Sequence, residues 1–139
     1  MNNDRGSTIP LILGFFLLAL TMIAGAVAAG DAFVQQRGLQ DVCDGAAAAA
    51  AASAADLSRA SDVGRGDAAR FTDVARAVSG YQQRDPSRAE VRITASVSGD
   101  GRTLTLSCVE TRKIAFGAMF GKGDGVRHAA TSSARAPLS

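Results

Sequence analysis

The chain has 139 residues, 47% of them hydrophobic and 20% charged, with a formal net charge of +2. Such a length excludes a large multi-domain enzyme, and the apolar content with low net charge excludes a disordered chain. The arginines are scattered, so no polybasic arm points to nucleic acid. Aromatics are only 5% and much of the apolar count is alanine, which buries little area, so the core is poorer than the percentage suggests.

The first predicted element is a helix. No charged residue occurs from Ser7 to Gly30. About 20 helical residues cross a ~30 Å hydrocarbon core, so this run is long enough to span a membrane. Ser7 or Thr8 can cap it, and Pro10 falls in its first turn, where the missing N–H costs nothing. Two other readings compete. A buried core helix is one, although uncharged runs of this length are rare in soluble domains. A cleaved secretory signal is the other, with Ala26-Val27-Ala28 as a small-x-small site, but the apolar stretch exceeds the usual ~7–15 residues and Asp4 stands beside Arg5. The short leader favours a cytoplasmic N-terminus and an exported C-terminal domain. Residues 1–6 then form the leader, 7–30 the transmembrane helix, 31–135 the exported domain and 136–139 a tail.

The helical pattern continues past Asp31. Leu39, Val42, Cys43, Ala46, Ala50 and Leu57 share one face, and the alanine run from Ala46 favours helix strongly. Gly38 and Gly45 are candidate bends. A continuous helix over 8–59 would be a rod of roughly 75–80 Å. Gly25 with Ala29, and Ala26 with Gly30, form small-xxx-small pairs that favour close helix approach in lipid. These residues, with Ala46 and Ala50 on the alanine face, are candidate helix-packing positions. The alternative is that the alanines lie under the chain's own sheet.

Ser61–Asp67 reads as a break. A short amphipathic helix follows, with Ala68, Phe71, Val74, Ala75 and Val78 on one face and a stop near Ser79-Gly80. Asp85-Pro86 marks a turn. The period then changes to two. Val91, Ile93, Ala95 and Val97 form one face of a strand, Gly99-Asp100-Gly101 is a hairpin signal, and Leu104, Leu106 and Cys108 alternate on the return. Ile114–Phe120 is a short apolar segment read as a helical turn, Gly121–Gly125 a loop, and Val126–Ala134 a third strand. The fold class is α+β.

Cys43 and Cys108 each fall on an apolar face of their own element, both aimed at one core. An even pair in an exported small domain suggests one disulfide. It would close a 65-residue separation, worth about 4 kcal/mol in the chain-entropy model. The alternative is two buried thiols.

Catalytic and metal chemistry is not evident. Gly117 to Gly121-Lys122 lacks the spacing and the following hydroxyl of a phosphate loop. His128 is the lone histidine and completes no zinc site with two cysteines this far apart. Asp31, Asp41 and Asp44 could act as acids, but Asp41 and Asp44 three apart on a solvated face are usually solubilising. No base, nucleophile and oxyanion site occur together. The expectation is therefore no catalytic residues, no metal and no cofactor.

The N-terminal segment resembles the TadE/TadG-like family of tight-adherence (Flp-type) pilus assembly. The resemblance rests on Arg5-Gly6-Ser7, the apolar run to Gly30, Asp31, Leu39-Gln40 and Cys43-Asp44-Gly45-Ala46-Ala47-Ala48. It implies a pilin-like plan, a long helix with a small antiparallel sheet on its exported half. It also implies an inner-membrane or cell-surface pilus location, with membrane lipid, other pilus or secretion subunits and further copies of the chain as partners. Prepilin peptidase would cut between Gly6 and Ser7. That peptidase favours glutamate five positions after the cut, where Leu11 stands, so an uncut anchored accessory remains beside a minor pilin. A secreted adhesin-like domain released after Ala28 and a membrane-tethered regulator of secretion are the other readings.

Overall fold

The computed structural model describes residues 8–61, 71 and 73–136. The expected Gly6–Ser7 junction, most of the Ser61–Asp67 break, Ala68 and the tail from Pro137 lie outside the described residues. The element order is α1 (Thr8–Ser61), α2 (Val74–Gln83), a 3-10 turn (Pro86–Arg88), β1 (Arg92–Val97), β2 (Thr103–Arg112), a second 3-10 turn (Gly117–Phe120) and β3 (Val126–Arg135). The sheet is antiparallel in the order β1-β2-β3. The α+β expectation is met, with a long helix, a short helix and three strands.

Helix α1 runs 54 residues without interruption, about 80 Å at the helical rise. The two glycines expected as bends sit inside it. Gly38 has open space around it, whereas Gly45 makes a notch for α2: a Cβ there would overlap Tyr81 Oη and lie 2.7 Å from Cζ. The Arg88 guanidinium stacks over the Tyr81 ring, 4.1 Å from its centroid. This seating explains why α2 does not end at Ser79-Gly80. The stop signal of a glycine loses to the packing of Tyr81 one residue later, and the helix continues to Gln83. Phe71, expected inside that helix, precedes it; it is buried, and its N–H donates to Gly101 O at 2.9 Å.

The core lies where α1 crosses the inner face of the sheet. Leu39, Cys43, Ala46, Ala47, Ala50 and Ala54 meet Leu104, Leu106, Cys108 and Ala130, with Val78, Val91, Phe71 and Ala136 completing the cluster. Ala136, expected in the tail, is instead held in the fold, its N–H donating to Arg102 O at 2.9 Å. Alanine along α1 brings the helix close to the sheet, so branched residues of β2 supply most of the volume. The alternation on β2 is as expected, with Leu104, Leu106 and Cys108 fully buried. On β1 the expected apolar face is covered only at its start. Val91 is buried and Ile93 half-buried, but Ala95 and Val97 are exposed, because β1 is an edge strand beyond the reach of α1. Cys43 and Cys108 form a disulfide with Cα atoms 5.9 Å apart.

Candidate functional site

The two halves of α1 have different surroundings. From Ile9 to Val34 its large apolar side chains are exposed: Phe15 is 66% exposed, Met22 69% and Val34 67%. Only 11% of the apolar window is buried within the chain, which is not the burial of a core helix. The helix is long and apolar enough to cross a membrane. Thr21 returns its hydroxyl to Leu18 O at 2.8 Å, so this polar group in the run is satisfied within the helix.

At Asp31 the helix passes into the head through a set of polar contacts. Asp31 Oδ2 accepts from Ala115 N at 2.8 Å, and Oδ1 accepts from Gln35 Nε2 at 3.2 Å. Gln35 Nε2 also donates to Lys113 O at 3.1 Å. Gln36 Nε2 donates to Ala129 O at 2.7 Å, and Gln40 Nε2 donates to Thr131 O at 3.4 Å. Both carbonyls belong to β3, the edge strand next to α1, so glutamine amides on successive turns cover polar backbone that would otherwise invite another strand. Gln36 Oε1 lies 3.2 Å from His128 Nδ1. His128 is buried opposite Glu110 in the β2–β3 register, and Glu110 accepts from Arg112 Nε at 2.9 Å. The result is a polar collar between helix and sheet. It holds the head to the helix at the base of the hydrophobic core.

The collar offers no evident chemistry. His128 and Glu110 face a helix amide and an arginine, with no nucleophile beside them. Among the described residues no group of three His, Cys, Asp or Glu side chains is placed to hold a metal ion. A cleft of about 310 Å³ between α1 and the sheet, lined by Val34, Leu39, Val42, Glu110 and Arg112 among others, is open to solvent.

The candidate packing residues separate into three groups. Ala46 and Ala50 are buried under the chain's own sheet. Gly25 is half-covered, with Phe120 Cζ 3.8 Å from where its Cβ would be. Ala26, Ala29 and Gly30 are exposed on α1, and Gly30 has open space around it.

Residues 6–58 match the family described as putative Flp pilus-assembly TadE/G-like. The N-terminal segment is similar to that family over this stretch. No curated protein and no solved structure matches the chain. The matched segment coincides closely with α1, and the residues that carried the resemblance have distinct tasks in it. Asp31 binds the β2–β3 connection, Leu39 and Ala46 fill the core, Gln40 covers β3 and Cys43 is cross-linked to β2. Gln35, Gln36, Glu110 and the buried role of His128 were not found by sequence reasoning, because isolated polar residues carry no periodic signal. The apolar 114–120 segment between Lys113 and Lys122 was visible, but its place beside Gly25 was not.

Proposed function

We propose that the chain is a non-catalytic, single-pass membrane component of Flp-type pilus assembly or secretion, a minor pilin or an assembly factor. The family match supports the pilus-assembly role, and the exposed apolar half of α1 fits a membrane-anchored protein. The observation that carries the finer reading is the continuity of α1. One helix supplies both a lipid-ready surface and the central element of the head, so the head is fixed to its anchor without a linker. The action is helix packing in the membrane together with docking of the head onto other subunits. Ala26, Ala29 and Gly30 are the small residues left open for a neighbouring helix. The N-terminus is cytoplasmic and the head extracytoplasmic, with Gly6–Ser7 as the processing junction if the protein enters a filament.

The mass of the native protein tests this reading. A start at Met1 supports the assembly factor and a start at Ser7 the minor pilin. A start at Ala29 would sink both, because cleavage there removes the anchor and leaves a secreted domain. Photo-cross-linking from Ala29 in piliated cells supplies the second test. Adducts with pilus or secretion subunits are expected, and their absence would count against an assembly role.

A further inference from the structure

The segment joining β2 to β3 folds down along α1 toward its apolar end. It starts at the level of Asp31, which receives the Ala115 N–H, and reaches Gly25, where Phe120 lies against the helix. Those two levels are six residues apart, about 9 Å along the axis. The segment carries Phe116, Met119 and Phe120, which are 50%, 65% and 47% exposed. Three large apolar side chains in five residues thus stand in the open beside a helix surface that is itself apolar from Ile9 to Val34. Phe116 is the only described non-glycine residue with a left-handed backbone, φ 57°. This conformation costs free energy and persists where the surrounding structure holds it.

We propose that this segment is a second membrane contact, seated in the outer interfacial layer of the same bilayer that α1 crosses; this rests on the membrane-anchor reading above. The occupant follows from position. The exposed apolar surface of α1 spans 26 residues from Ile9 to Val34, about 39 Å, which exceeds a ~30 Å hydrocarbon core. With that excess of about 9 Å on the outer side, the Asp31 level lies in the interface, while Phe120 at Gly25, about 13 Å below Val34, lies about 4 Å inside the hydrocarbon edge, so the segment straddles that boundary. Whatever solvates α1 there also solvates Phe116, Met119 and Phe120. The backbone is prepared for a dry setting. Gly117 N–H donates to Ile114 O, Met119 N–H to Phe116 O, Gly121 N–H to Ala118 O and Lys122 N–H to Gly117 O, at 2.7–3.3 Å. The nearest charge is Asp31, at the outer end of the segment, whose two oxygens accept from Ala115 N and Gln35 Nε2. Lys113, Lys122 and Asp124 are exposed at the two ends, and lysine stems can extend along apolar surface while their heads stay at the headgroups. Aromatic rings are favoured at this depth.

The test uses the full chain, with its disulfide intact, in phosphatidylcholine–phosphatidylglycerol vesicles. An environment-sensitive fluorophore is attached at Met119→Cys, at Leu17→Cys and at Ser96→Cys in separate samples, and is quenched with lipids bearing nitroxides at known depths. The Met119 label is expected to be blue-shifted and quenched at least twofold more than the Ser96 label, most strongly by shallow nitroxides. The Leu17 label is expected to respond to deep ones. A Met119 label as wet as Ser96, with Leu17 quenched, overturns the loop contact and leaves the anchor standing. A Met119 label that is dry yet unquenched by lipid also overturns it, since protein and not lipid then covers the segment. An unquenched Leu17 label removes the anchor reading itself, and the loop contact with it.

Discussion

Asp31 Oδ2 and the backbone N–H of Ala115 are joined at 2.8 Å although 84 residues separate them. This bond ties the foot of the head to α1 where the apolar run ends. Asp31→Ala removes the acceptor for a partly buried N–H and leaves Gln35 without a partner for one amide contact. A loss of about 1–3 kcal/mol is expected, while Asp31→Asn, which keeps an acceptor oxygen, loses less. Chemical denaturation of the full chain in detergent measures both.

The two helix glycines give a prediction of opposite sign. Gly45→Ala drives a methyl into Tyr81, whose ring must leave its stack with Arg88. It is expected to destabilise by about 1–3 kcal/mol. Gly38→Ala meets nothing within 4 Å and is expected to stabilise by up to about 1 kcal/mol through helix propensity. In a Tyr81→Ala background the Gly45→Ala penalty disappears, which the same denaturation measurement shows.

Replacing both cysteines by alanine frees a 65-residue separation in the unfolded chain. The expected loss is about 4 kcal/mol in the chain-entropy model. Native mass under non-reducing conditions, compared with the mass after reduction and alkylation, should show two thiols appearing only on reduction.

The β1–β2 hairpin has an acid-sensitive turn. The Ser98 hydroxyl and then the Arg102 backbone N–H hold the Asp100 carboxyl below the usual carboxylate range. Ser87, through its hydroxyl and then its backbone N–H, does the same to Asp85. A carboxylate whose folded value is depressed stabilises the fold above its unfolded pKa, near 4, and that contribution is lost as pH falls through the folded value. Asp100→Ala is therefore expected to be less stable than the parent at neutral pH. The difference should shrink as pH drops below about 4 and close at lower pH. Urea titrations at neutral and acidic pH provide the check.

Helix association should depend on the open small residues and not on the covered ones. Ala29→Phe or Gly30→Leu is expected to weaken proximity between labelled copies or partner helices in bilayers, with little effect on head stability. Energy transfer between singly labelled chains at low density reads this out. Ala50→Phe is expected to do the reverse, disrupting the head, because Ala50 is buried under the sheet.

The parts legible in the sequence are those with a period. The uncharged run, the alanine face and the alternation from Leu104 to Cys108 each announce an element and its buried side, and the two cysteine faces converge as the disulfide requires. Other features depend on contacts between distant segments. Gly80 reads as a helix stop until Tyr81 is seen in the Gly45 notch. Ala95 and Val97 read as buried until β1 is seen at the edge. Gln35, Gln36 and Gln40 look like solvated polar residues, and only the carbonyls of Lys113, Ala129 and Thr131 give them a purpose. The descent of the 114–120 segment toward Gly25 is fixed by Asp31 and Ala115, two residues that no local pattern links.

The uninterrupted helix also constrains motion. Because α1 is the spine of the head and carries the apolar run, the head cannot swivel on a tether. Its heading about the helix axis is locked to the heading of Ala26, Ala29 and Gly30. A partner that engages the head would therefore dictate which flank of the helix it meets, and a twist applied to the head passes along α1 as torque on one stiff shaft.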